Sequence, residues 1–171
     1  MKKLNTALLA GSLCLVGASA SQASALVDYA GGGLAIQDVD GFDDGLALVL
    51  NAGKNMPNVH ENFFIESEFT YTISSPEITF FGGSIEANIL TLAGYAAYIL
   101  PLNEQFNLKG RAGILYEDVD VDSFGSDTDI GLSLGFGGEY ILNDGMKITF
   151  DYTIIESDVS HLGLGIKIGL Q

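Results

Sequence analysis

The stretch that decides the fold is DIGLSLGFGGEYIL, residues 129–142. Ile130, Leu132, Leu134, Phe136, Gly138, Tyr140 and Leu142 occupy one parity. Asp129, Gly131, Ser133, Gly135, Gly137, Glu139 and Ile141 occupy the other. A period of two sustained over this length belongs to a strand and excludes an amphipathic helix. Asn143-Asp144-Gly145 follows, with residue types that favour tight turns, and the alternation then resumes. Ile148, Phe150, Tyr152 and Ile154 oppose Lys147, Thr149, Asp151 and Thr153. The two segments read as a long β-hairpin.

The same pattern extends outward in both directions. Leu162, Leu164, Ile166, Ile168 and Leu170 oppose Gly163, Gly165, Lys167 and Gly169. Leu108, Gly110, Ala112, Ile114 and Tyr116 oppose Lys109, Arg111, Gly113, Leu115 and Glu117. Leu90 to Tyr98, Ile65 to Ile73 and Leu46 to Asn51 alternate likewise, and a Gly-rich segment from Val27 to Gln37 precedes them. The alternation predicts eight strands, near 27–37, 45–53, 62–73, 86–100, 106–117, 128–142, 146–156 and 161–170. The connections at 54–61, 101–105 and 143–145 are read as short turns. Those at 38–44, 74–85 and 118–127 are read as longer or acidic loops, and 157–160 as a short one.

Composition narrows the setting. Lys2 and Lys3, an apolar run from Leu4 to Val16 and the small residues Ala18 to Ala25 form the three parts of a secretory signal peptide. Cleavage fits after Ala20 or Ala25, and Ala25 is preferred because a patterned segment begins at Val27. The expected organisation is a leader at 1–25 and one domain at 26–171. Cys14 is the only cysteine and lies in the leader, so the exported chain needs no disulfide. That chain carries 5 basic and 22 acidic residues, a formal charge of −17. Such a balance argues against nucleic acid as a partner, because a phosphate backbone requires a basic surface.

Mean hydropathy is positive, at +0.31, yet the most apolar segment after the leader, Ile89 to Leu102, is interrupted by Thr91 and Gly94 and ends at Pro101. It is too short and broken for a spanning helix. A greasy chain without such helices fits strands that turn one apolar face to lipid. The apolar parity carries Leu, Ile and Phe, with Tyr71, Tyr98, Tyr116 and Tyr140 near strand ends, where interfacial aromatics belong. The opposite parity carries Gly, Ser, Thr, Ala and charge, as a narrow packed lumen requires. By parity Glu66, Glu68, Glu139 and Asp151 face inward with Lys109, Arg111, Lys147 and Lys167, four acids against four bases. Eight strands leave an interior just wide enough for side chains, so this set reads as a polar plug, with an ion path or gate as the alternative.

The leader, the amphipathic strands and the Gly131–Tyr140 stretch resemble the OmpA/OmpX type of small outer-membrane β-barrel, within the porin-like group of outer membrane protein β-barrel domains. Lys109-Gly-Arg-Ala-Gly113 and Gly137-Gly-Glu-Tyr140 look like that group's strand openings and ends. The resemblance implies an all-β, eight-stranded antiparallel up-and-down transmembrane barrel in a Gram-negative cell envelope. It implies outer-membrane lipids, lipopolysaccharide and the outer-membrane assembly machinery as partners, and a monomer. The chain departs from the type in ending at Gln171 rather than an aromatic residue.

Chemistry-bearing motifs are sparse. The acidic loops offer Asp118, Asp120 and Asp122 as ligands for Ca2+ or Mg2+, but Ser123 stands where an EF-hand needs glycine and no Glu closes the loop. His60 and His161 are the two histidines. Ser160-His161 invites comparison with lipid A deacylases, whose His-x-Ser-Asn arrangement is absent, and His161, at the start of the last strand, reads as an interfacial residue. No catalytic residue, cofactor or resident metal is therefore expected. The expected function is a structural or surface barrel with a plugged lumen; a narrow or gated porin-like channel is the alternative, and a soluble periplasmic lipid-binding barrel the third reading.

Overall fold

The computed structural model describes residues 26–80, 83–121, 125–156 and 159–170. The expected leader lies outside these residues. Nine strands are present: β1 (Tyr29–Val39), β2 (Gly45–Asn55), β3 (Phe63–Ser74), β4 (Glu77–Phe80), β5 (Gly83–Pro101), β6 (Phe106–Val121), β7 (Gly125–Asn143), β8 (Met146–Glu156) and β9 (Val159–Gly169). All pair antiparallel.

Eight of them close on themselves. β1 pairs β9 from Tyr29↔Gly169 to Val39↔Val159, and β3 pairs β5 from Phe63↔Tyr98 to Tyr71↔Leu90. Each remaining neighbour follows in chain order, so the sheet is an up-and-down barrel with no free long edge. The ninth strand, β4, pairs only with the start of β5, from Glu77↔Glu86 to Phe80↔Gly83.

The expected strand positions agree with this architecture, with two corrections in the connections. Residues 74–85, read as a loop, contain β4 and the beginning of β5. Residues 118–127, also read as a loop, are mostly strand, because β6 runs to Val121 and β7 starts at Gly125. The physical reason is visible in the residues themselves. Asp118, Asp120 and the intervening Val119 and Val121 still alternate, and β-branched valines support an extended backbone whatever the charge beside them.

The barrel therefore has a turn end and a loop end. The turn end holds the short connections 56–62, 102–105 and 144–145, and both described chain termini. There the Leu170 N–H donates to Asp28 O at 2.8 Å, and Asn143 Oδ1 accepts the Gly145 N–H at 3.0 Å. The loop end holds 40–44, the β4–β5 arm and the strand ends at Val121, Gly125, Glu156 and Val159. Gly41, at φ 84°, makes the left-handed step that the β1–β2 connection needs.

Parity sorts the side chains as the alternation requires, but inside out relative to a soluble protein. Leu132, Leu164 and Phe136 are 80%, 65% and 63% exposed on the outer surface. Glu66, Glu139, Lys109 and Lys167 are buried within. A soluble lipid-binding barrel would turn its apolar parity inward, so this arrangement overturns that reading.

Candidate functional site: the lumenal charge network

The eight charged residues singled out by parity are brought together in the lumen. Arg111 on β6 donates from both terminal guanidinium nitrogens to Glu68 on β3, at 2.6 and 3.0 Å, and from Nη2 to Thr153 Oγ1 on β8 at 2.6 Å. Its guanidinium carbon sits 4.3 Å from the centre of the Tyr95 ring on β5. One side chain thus ties together four strands. Arginine suits this position because its planar fork satisfies a carboxylate with two bonds and still stacks on an aromatic face.

Toward the turn end a second cluster gathers around two carboxylates. Glu139 accepts from Lys167, from Lys147 at 2.9 Å and from Asn107 Nδ2 at 2.9 Å. Glu66 accepts from the Tyr29 hydroxyl and lies within 3.7–3.8 Å of Lys167, Arg111 and Lys109. Lys109 completes the set by pairing with Asp151 at 2.7 Å. The Lys167 ammonium also rests 3.9 Å from the Tyr29 ring centre. Each of these buried ions has an opposite charge close by, the condition under which burial is tolerated.

Glycine makes room for these long side chains. A Cβ built on Gly53 would lie 2.3 Å from Tyr29 Cζ and its hydroxyl oxygen, and one on Gly135 would lie 2.8 Å from Arg111 Nε. The inward small residues are therefore the complement of the inward large ones.

Toward the loop end the lumen changes character. Gln37 Nε2 and His161 Nε2 are 3.0 Å apart, and the Thr72 hydroxyl donates to Gln37 Oε1 at 2.7 Å. Ala93, Tyr95, Leu115 and Ile155 form a buried apolar cluster with Val159 against it. Tyr95 and Ser133 hydroxyls share a 3.0 Å hydrogen bond.

Sequence reasoning missed four inward residues. His161 was placed at the membrane interface at the start of the last strand, but it is buried in the lumen, because it shares the parity of Lys167. Tyr29 and Gln37 follow the same rule on β1. Glu117 is also buried on the inward parity of β6, an acid that the expected four left out; it lies beyond Leu115. Simple counting in steps of two from Lys109 finds it.

The other singled-out residues remain apart from the lumen. Asp118 and Asp120 lie on the outward parity of β6, opposite Thr128 and Ser126, and Asp122 lies outside the described residues. Among the described residues no three His, Cys, Asp or Glu side chains converge as metal ligands would. His60 sits in the β2–β3 turn, its ring 5.4 Å from that of Tyr98.

Comparison with known proteins now bears on this architecture. No curated protein matches the chain in sequence. Among solved structures it is similar to Neisserial surface protein A, with 16% identity, 82% of this chain and 96% of that one covered and a TM-score of 0.65. It is similar to OprG from Pseudomonas aeruginosa, with 15% identity, coverage of 84% and 96% and a TM-score of 0.58. It is also similar to Ail, the attachment invasion locus protein of Yersinia pestis, with 18% identity, coverage of 82% and 95% and a TM-score of 0.56. At these identities the likeness is one of fold, and the fold is that of small bacterial outer-membrane barrels. The family model described as "Outer membrane protein beta-barrel domain" matches residues 6–168, nearly the whole chain. The chain is a bacterial outer-membrane protein and belongs to the outer membrane protein β-barrel domain family.

Proposed function

We propose that the protein is a non-enzymatic structural or surface barrel whose lumen is plugged by its own side chains. The observation that carries this reading is the Arg111 fork on Glu68, which bridges β6 and β3 over the lumenal face of β5 amid the Glu66 and Glu139 clusters. Opening a continuous aqueous path would require parting buried charges that hold one another. A porin-like role would need that separation to be driven by something outside the network.

The surface role draws on position and on likeness. The loop end displays Asp40, Asp120, Asp127 and Asp129 as exposed carboxylates. Two of the similar structures are named as a surface protein and an attachment protein. Outer-membrane lipids, lipopolysaccharide and the assembly machinery are the partners of such a barrel. A closed sheet without free long edges suits a monomer. Residues 1–25 serve as the leader removed on export.

Deleting the gene from its host and measuring entry of a bulky antibiotic that intact outer membranes exclude tests the integrity role. Increased sensitivity, restored by the wild-type gene, is expected. Unchanged sensitivity with reduced adherence to surfaces would assign the surface role instead, and no change in either would refute both.

A further inference from the structure

We propose that the seam between β1 and β9 holds a water site that completes the lumenal network. Gly31 and Gly33 on β1 and Gly163 and Gly165 on β9 all lie on the inward parity, so four neighbouring positions offer no side chain. Gly33, Gly163 and Gly165 line a cavity of about 30 Å³ together with Asn51, Glu68, Arg111, Asp151, Thr153 and His161, while Asn51 fills the space over Gly31. That volume suits one or two water molecules, since one needs roughly 10–15 Å³ measured in this way.

Glycines alone would make only a gap, and an apolar gap stays dry. The walls here also carry polar side chains, and two of their buried atoms lack protein partners. Arg111 Nε has no acceptor and Asn51 Oδ1 has no donor. The Arg111 side chain is only 3% exposed, so bulk solvent does not serve its Nε–H. One is a donor and the other an acceptor, and a water molecule satisfies both kinds. Leaving such groups unsatisfied is costly, whereas a bridging water is nearly as favourable as a direct bond. The site is independent of whether the barrel conducts, because it concerns hydration at one point and not passage along the lumen.

Gly163 provides the test. A Cβ there would meet its nearest neighbours, Asp151 O and Ala35 Cβ, at 3.7 and 3.8 Å, ordinary contact distances. Gly163→Ala therefore places a methyl group in the cavity without backbone strain. If water occupies the site, the alanine displaces it and lowers the melting temperature by several degrees. Gly163→Ser adds a hydroxyl of similar size that takes over the hydrogen bonding and melts close to wild type. If the cavity is dry, alanine melts at or above the wild-type temperature and serine below it, which would overturn the proposal. A high-resolution crystal structure of the wild-type barrel provides a second measurement. Density for a water within hydrogen-bond distance of Arg111 Nε is expected, and an empty cavity there would count against the site even if both variants failed to fold.

Discussion

Arg111 and Glu68 stand 43 positions apart in the chain and on strands separated by β5, yet their side chains meet in a two-pronged bond of 2.6 and 3.0 Å inside the barrel. The pair joins sequence to fold directly. It forms only if β3, β5 and β6 take the observed register, and a slip of one residue in β3 or in β6 would turn that strand's charge toward lipid.

Separating the two partners should cost more than removing both. Arg111→Met leaves Glu68 buried without its counter-charge and should lower stability by about 3–5 kcal/mol, as should Glu68→Leu. The double variant should recover much of that loss. Urea unfolding of the four proteins in lipid vesicles measures the cycle, and strictly additive losses would show that the pair is not coupled.

Lipid contact can be tested at Leu164, which is 65% exposed in the middle of β9 and pairs with Leu34 and Phe150. Leu164→Arg places a cation on the outer face near mid-membrane and should cost ~2–4 kcal/mol of folding free energy in bilayers. A polar substitution at the same site on a water-exposed barrel would be nearly neutral. Vesicle unfolding titrations distinguish the two.

The fit between small and large residues predicts a contrast between two glycines. Gly53→Val should displace the Tyr29 ring and break its hydrogen bond to Glu66, an overpacking cost of about 1–3 kcal/mol. Gly110→Ala, on the outer face with no heavy atom near the added Cβ, should change stability little. The shift in the temperature at which the compact gel band converts to the unfolded one reports both.

Asp28, just before β1, provides a pH dependence outside the strands. Burial works against its charge, but the Asn55 N–H at 2.7 Å and the Lys54 ammonium at 3.0 Å outweigh it and hold the carboxyl below its usual pKa. A depressed folded-state value contributes stability above the unfolded value, near about pH 4, and loses it as pH falls further. Asp28→Asn should therefore unfold at a lower denaturant concentration than wild type at about pH 6, with the difference vanishing near about pH 2. A difference that persists at acid pH would contradict the assignment.

Much of this architecture is legible in the residues. Period-two alternation located all eight barrel strands, and Asn143-Asp144-Gly145 marked a hairpin that the structure forms. Parity alone puts Glu66, Arg111 and Lys167 on one face. What parity does not supply is which acid meets which base. That depends on strand stagger and on side-chain reach across the lumen, so the Arg111 fork and the sharing of Glu139 between Lys147 and Lys167 emerge only from the closed barrel. The acidic residues 118–121 were misread because charge suggested a loop while alternation continued. His161 was misread because its place near a strand end outweighed its parity.

The account rests on a lumen closed by its own charges, and single-channel recording across a planar lipid bilayer tests that most directly. The purified wild-type barrel should give no steady conductance steps above the bare membrane. Reproducible single-channel steps from wild-type protein, absent with a heat-denatured sample, would contradict the account.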